Sequence, residues 1–279
     1  MLDEVKPDVV HNHNISLLGY NLLKKKGEYL NLYAAHDYWL ICQQNNLLRS
    51  CRKMRDNPSC FLCALECGRP PQFWRRLEGF ARAIRDIDVL IAPSEYLRRR
   101  ISRRVPIRAV TIPNFVPEPP SRTSDSGFDN FLLYVGILER RKGIAWLVEA
   151  YRELGRSTGK SLVVVGDGVL KPDVDEIVRK YNLSNVIFPL GWVKRERLYD
   201  LLADASALVV PSIWPENAPL ASLEALSMGT RVVGSDQGGL PEIVTKVDSE
   251  LVFSAGSKRD LARAIGYCRR NNDGLRVFC

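Results

Sequence analysis

Two glutamates eight residues apart, Glu216 and Glu224, carry the chain's most specific chemical signal. They fall in a stretch that reads Trp214, Glu216, Asn217, Pro219 and then Leu223-Glu224-Ala225, directly after the apolar run Ala207–Val210. That position is the carboxyl edge of a parallel sheet, where α/β proteins bind ligands. Asn217 suits a helix cap, Pro219 a first turn and Gly229 a stop. Glu224 shares a helix face with Leu220, and a carboxylate buried there without a partner costs several kcal/mol. A ligand hydroxyl would serve as that partner. Glu216, ahead of the helix, can reach another part of the same ligand, while the free N–H groups of the helix start suit a phosphate. The opposing reading pairs Glu224 with a neighbouring arginine and leaves Glu216 solvated.

Further motifs fall at the same edge. Tyr134-Val135-Gly136 leaves a strand into a loop ending at Lys142-Gly143, and a lysine so placed can neutralise a diphosphate leaving group. Gly166-Asp167-Gly168, Gly191-Trp192-Val193 and Gly238-Gly239-Leu240-Pro241-Glu242 close the neighbouring strands. Five cysteines, Cys42, Cys51, Cys60, Cys63 and Cys67, are spaced C-x8-C-x8-C-x2-C-x3-C, which offers thiolate ligands for a structural zinc. His36 ends a strand at a loop. His11 and His13 are assigned to opposite faces of a strand, so no joint site is expected of them.

These residues need a scaffold of alternating strands and helices. Strands are expected at Val9–His11, Tyr33–His36, Val89–Ala92, Ala109–Ile112, Phe131–Val135, Ser161–Val165, Val186–Phe188, Ala207–Val210 and Arg231–Val233. Helices fit Glu95–Arg103, capped by Ser94, and then 144–155, 173–181, 195–203, 219–228 and 258–269. The domains read as 1–118, with the cysteine-bearing insert at 42–67, a Pro- and Ser-rich linker at 119–127, a doubly wound unit at 128–270 and a tail at 271–279. The first unit, with four strands, reads as incomplete. Composition is globular, at 46% hydrophobic and 26% charged residues. No apolar run approaches the ~20 residues that span a bilayer, and the polar N-terminus is unlike a secretion signal, so a cytoplasmic protein is expected. Residues 1–126 hold 20 basic and 13 acidic side chains of a chain whose net charge is +8. This basic first half leaves open a peripheral contact with an anionic membrane at its inner face.

In this order the motifs resemble glycosyltransferase family 4, retaining enzymes of the GT-B fold. The carrying pattern is E-x7-E at Glu216 and Glu224, supported by Lys142-Gly143, Gly166-Asp167-Gly168 and Gly238-Gly239-Leu240-Pro241-Glu242, with Pro7 to His13, His36-Asp37, Pro93-Ser94-Glu95 and Ile112-Pro113-Asn114 before the linker. The resemblance covers about residues 5–265. It implies two Rossmann-like parallel-sheet domains facing a cleft, the N-terminal one incomplete, in an α/β chain truncated at both ends. It implies a hexosyltransferase of polysaccharide biosynthesis, moving a sugar from a nucleotide-sugar donor to a polysaccharide or lipid-linked acceptor with retention of configuration. Glu216 would contact the donor sugar, Glu224 the nucleotide ribose and Lys142 the diphosphate. Asn217, Ala218 and Leu220 would meet the phosphate or sugar through their backbone, with Gly136 beside them. Gly191 and Val193 would lie near the base, and His36 would reach the donor sugar across the cleft. No metal would be needed for catalysis and no nucleic acid is expected as a partner. Two departures from the family pattern are Ile137, where an arginine is common, and Pro219, where a glycine is common. The alternatives are a silent chain that only binds nucleotide sugar, and a cysteine-ligated metal module that binds nucleic acid.

Overall fold

A computed structural model describes residues 2–49, 53–54, 60–120 and 123–270. Contacts divide the chain into unit 1, Met1–Asn114, and unit 2, Phe115–Cys279.

Unit 2 is built on apolar runs bounded by glycine and proline. Its strands are β7 (Phe131–Val135), β8 (Ser161–Val165), β9 (Ile187–Gly191), β10 (Ala207–Val210), β11 (Val232–Ser235) and β12 (Val252–Phe253). They form one parallel sheet in the order β12-β11-β10-β7-β8-β9. Leu132, Leu133, Val163, Val164, Leu208 and Val233 are all buried, so successive residues, which face opposite sides, are both covered. Such unbroken apolar strands need helices on both faces. These are α5 (Ile144–Thr158), α6 (Lys171–Lys180), α7 (Arg195–Asp204), α8 (Leu220–Ser227), α9 (Leu240–Val244) and α10 (Lys258–Arg270). Strand β12 and helix α9 were not expected from the sequence.

The segment expected as a linker is anchored to α7 (Arg195–Asp204) in its second half. Asp200 on α7 accepts from the Thr123 amide (2.9 Å) and hydroxyl (2.8 Å) and from the Ser124 amide (3.2 Å) and hydroxyl (2.8 Å). Those donors hold its carboxyl far below the usual range, the Thr123 amide foremost.

Unit 1 holds a four-stranded parallel sheet in the order β1-β2-β5-β6, from β1 (Val9–His13), β2 (Leu30–Ala34), β5 (Val89–Ala92) and β6 (Ala109–Thr111). Between β2 and β5 lie a short antiparallel pair, β3 (Leu48–Arg49) and β4 (Lys53–Met54), and the helices α2 (Cys60–Glu66) and α3 (Glu78–Arg85). Helix α1 (Leu2–Val5) opens the unit, and α4 (Glu95–Ser102) follows β5 with the expected cap, Ser94 Oγ accepting from the Leu97 amide at 3.3 Å. Asn31, fully buried, has its amide satisfied by the carbonyls of Leu23 and Asp86, both at 2.8 Å. Among the described residues no helix is long and apolar enough to cross a membrane. The expected tail at 271–279 lies outside the described residues.

Candidate functional site

At the carboxyl edge of the unit 2 sheet, Gly136 leads from β7 into a turn, Arg140–Lys142, followed by Gly143. Gly143 has φ 74°, and a Cβ there would stand 1.9 Å from the Pro211 carbonyl oxygen. Only glycine allows this approach of the β7 loop to the β10 loop. The approach sets Lys142 beside Glu216, where its Nζ donates to Oε1 at 2.8 Å and Oε2 at 3.0 Å. Glu216 is 4% exposed, and the Ser212 hydroxyl donates to it as well. Its backbone is gripped from β11: the Gly239 amide donates to the Glu216 carbonyl at 2.6 Å, and Glu216 bridges Gly238 in parallel. The Trp214 ring lies under both cations, 4.8 Å from the Arg141 guanidinium and 5.6 Å from Lys142 Nζ. Arg141 is itself held by Glu139 at 2.6 Å. The alternative of a solvated Glu216 is therefore wrong, because a buried carboxylate here has an ammonium and a hydroxyl on it.

A cleft of about 490 Å³ opens at this pair, with Gly136, Ile137, Lys142, Glu216, Leu220 and Ala221 among its walls. Asn217 does not cap the helix as expected. Pro219 takes the N-cap position in an extended conformation (ψ 120°), and α8 begins only at Leu220. A proline disfavours helix in the residue before it, which keeps Ala218 and Asn217 in the loop. Asn217 is buried there.

Glu224 lies one turn beyond Leu220 on the same helix and does not line the cleft. It is half-buried and has neither a hydrogen bond nor an ion pair among the described residues, so it is not paired with an arginine. Burial raises its carboxyl above the usual range, against the opposing pull of Arg195. Arg195 is placed by the Tyr199 hydroxyl, at 3.2 Å. Gly191 ends β9, its carbonyl accepting from the Gly166 amide at 2.8 Å, and Val193 follows it in the loop to α7. Sequence reasoning missed Ser212, Trp214 and Arg195. Trp214 stood in the motif, and its aromatic face near a run of cations was a usable signal.

Unit 1 gathers the chain's three histidines at its own carboxyl edge. His13 Nδ1 and His36 Nε2 are 2.9 Å apart, and the His11 and His13 ring centroids 4.0 Å. The assignment of His11 and His13 to opposite faces is corrected: residues two apart on a strand share a face. Partial desolvation, then His13, lowers the pKa of both His11 and His36.

The zinc expectation finds no support. Among the described residues no group of three His, Cys, Asp or Glu side chains is arranged to hold a metal. Cys42 and Cys63 are buried, and the Cys63 thiol donates to the Leu48 carbonyl at 3.7 Å, as a small apolar residue with a weak donor does. Cys67 is partly buried. Cys51 and the side chain of Cys60 lie outside what is described.

A model of the family described as glycosyl transferases group 1 matches residues 122–276, more than half of the chain. An uncharacterized glycosyltransferase of Methanocaldococcus jannaschii is 27% identical over 186 residues, 67% of this chain and 51% of that protein. The chain thus spans about half the length of that relative. Sucrose-phosphate synthase from Thermosynechococcus elongatus superposes with a TM-score of 0.69 at 22% identity, over 97% of this chain and 66% of that one. HepE of Anabaena, in complex with UDP, gives 0.62 at 18% identity, over 88% and 64%. These likenesses show the fold, the two-sheet GT-B architecture.

Proposed function

Because the chain belongs to the glycosyl transferases group 1 family, we propose that it moves a sugar from a nucleotide-sugar donor to a glycan or lipid-linked acceptor with retention of configuration. The observation that carries this reading is the buried Lys142–Glu216 pair walling a cleft at the carboxyl edge of the sheet. An ammonium has three N–H donors. Two meet Glu216, and the third is assigned to a donor phosphate oxygen. The Glu216 carboxyl oxygens, fixed by donation from Lys142 and Ser212, act as acceptors, which suits the hydroxyls of a sugar. The first amides of α8 have no acceptor within the helix, and they are assigned to the same diphosphate. Pro219 supplies no amide to it.

Glu224, without a partner of its own, is assigned to the ribose hydroxyls. Gly191 and Val193 are assigned to the base, and His36 to the donor sugar on the family resemblance. In the reaction the bond from the anomeric carbon to the phosphate oxygen breaks, and the acceptor oxygen bonds on the same face. The acceptor proton passes to the departing phosphate, whose charge Lys142 and the α8 amides offset. A cytoplasmic setting with peripheral contact at an anionic membrane completes the reading, supported by the basic excess of the first half.

The test is thermal stabilisation of the intact chain by UDP-, GDP- and ADP-sugars. At a hundredfold excess over Kd the expected gain is about 2.7 kcal/mol, and it should be lost in Glu224→Ala. Stabilisation by none of them ends the donor reading. Binding without transfer or hydrolysis assigns the chain the silent alternative.

A further inference from the structure

Lys142 serves a diphosphate best if its ammonium is held in place before the ligand arrives. A lysine head rides on a flexible four-carbon stem with rotating donors, whereas charge fixed in advance costs nothing to reorganise at the moment of reaction. Glu216 takes two of the three N–H groups, at 2.8 and 3.0 Å. A carboxylate alone does not set the side from which the ammonium approaches it. The Lys142 and Glu216 side chains are 24% and 5% exposed, so the ammonium is the open end of the pair.

Trp214 supplies a second constraint. It is buried and is not among the described residues that line the cleft, so it acts on the cleft through its neighbours. Its ring centroid lies 5.6 Å from Lys142 Nζ and 4.8 Å from the Arg141 guanidinium. Both are within the ~6 Å over which a ring face attracts a cation. Two cations beside one ring repel each other, and Glu139, accepting from Arg141 Nε at 2.6 Å, offsets one of them. The Ile213 amide donates to the Arg141 carbonyl at 3.0 Å, so the residues just before the indole and just before the ammonium are bonded backbone to backbone. From β11, the Ser235 hydroxyl donates to the Ser212 carbonyl at 2.7 Å and fixes the same loop. The indole is thus placed by contacts that do not involve Lys142.

With a carboxylate and an aromatic face both holding the ammonium, its remaining direction is the cleft that Lys142 helps to wall. We propose that Trp214 is a positioning residue for phosphate recognition: its indole face, steadied by the Glu139–Arg141 pair, holds Lys142 so that the third N–H enters the donor cleft. The inference rests on the donor reading of that cleft. It assigns a role to the aromatic face and not to the bulk of the side chain, so an aromatic replacement should preserve the function and an aliphatic one should not.

The test compares Trp214→Phe, which keeps an aromatic face, with Trp214→Leu, which keeps only apolar bulk, in the intact chain. One readout is the ammonium H–N magnetic-resonance signal of Lys142 in protein carrying isotope-labelled lysine, identified by its absence from Lys142→Met/Glu216→Gln. The other is affinity for inorganic diphosphate by calorimetry. Trp214→Phe should keep a sharp Lys142 signal and bind diphosphate within about threefold of the unaltered chain. Trp214→Leu should broaden the signal away and weaken diphosphate about tenfold or more, as a misplaced group does. Arg141→Gln removes the ring's other cation without emptying the core, and should give a smaller loss of the same kind in both readouts. The inference is overturned if the phenylalanine and leucine variants agree in both readouts, or if Arg141→Gln changes neither. An unaltered chain that shows the Lys142 signal but binds no diphosphate would defeat the donor reading, and this inference with it. Equal diphosphate binding by every variant would overturn this inference alone.

Discussion

The two units each present a parallel sheet whose carboxyl edge collects polar side chains, yet they wire those side chains differently. In unit 2, Glu216 is buried and tied by an ammonium, a hydroxyl and a backbone clamp. In unit 1, His13 meets both His11 and His36, with His11 and His13 on the exposed side of the edge strand β1. In unit 2 the carboxylate is matched by an ammonium at hydrogen-bond distance. Imidazole is the side chain whose charge changes most readily near neutral pH. Unit 2 thus holds a paired electrostatic template, whereas the polarity of the unit 1 edge responds to pH.

The largest effect should come from breaking the template. Lys142→Ala leaves Glu216 buried without its cation, a loss of about 3–5 kcal/mol in stability, read as a lower urea midpoint. The double variant Lys142→Met/Glu216→Gln should regain most of that stability, because no lone charge remains, and still bind no nucleotide sugar. Recovery of donor binding in the double variant would reduce the pair to a structural strut. Next in size is Gly238→Ala. Its φ is +68°, and the new Cβ would stand 2.2 Å from the Glu216 carbonyl oxygen, whereas at Gly256 (φ +84°) nothing lies within 4 Å. Gly256→Ala should therefore cost only the left-handed backbone penalty of about 1–2 kcal/mol. Gly238→Ala should cost more than that and also weaken donor binding. Equal losses in the two variants would remove Gly238 from the support of Glu216.

Most of this scaffold was legible because its strands are apolar on both faces and end at glycine or proline. Phe131–Val135, Ser161–Val165, Ala207–Val210 and Val89–Ala92 were placed residue for residue. The family shows itself in the same way, through motifs that follow strand ends. Strand β12 escaped because two residues carry no periodicity. Helix α9 escaped because it is five residues long and starts behind two glycines. The partners of Glu216 were less legible than Glu216 itself. Ser212 and Lys142 meet it through the path of two loops, and loop paths follow from close approaches such as Gly143 to Pro211, which spacing does not encode. The histidine assignment failed for a simpler reason, a misapplied strand period.

A smaller effect separates function from stability at the second glutamate. Burial already penalises the Glu224 carboxylate, and the pull of Arg195 offsets it only in part. Glu224→Gln should leave the melting temperature unchanged or slightly higher, while donor affinity falls about tenfold, or 1.4 kcal/mol. A variant that melts lower with donor affinity intact would place Glu224 in the fold alone.

The smallest effect should be the pH response of unit 1, and its sign follows from the direction of two shifts. His11 and His36 both lie below the ordinary imidazole value of 6.5 in the native state. The unfolded chain then binds protons that the folded chain refuses, so stability is complete above that value and is lost as pH falls from it through the lowered native values. Two imidazoles joined nitrogen to nitrogen need one neutral acceptor, so double protonation also breaks the His13–His36 bond. His36→Gln should flatten the stability profile between pH 7 and pH 5 and leave the unit 2 response to nucleotide sugars at pH 7 as it was. A profile equally steep in that variant would mean that the acid sensitivity arises elsewhere, and the contrast between a fixed and a titrating edge would then rest on geometry alone.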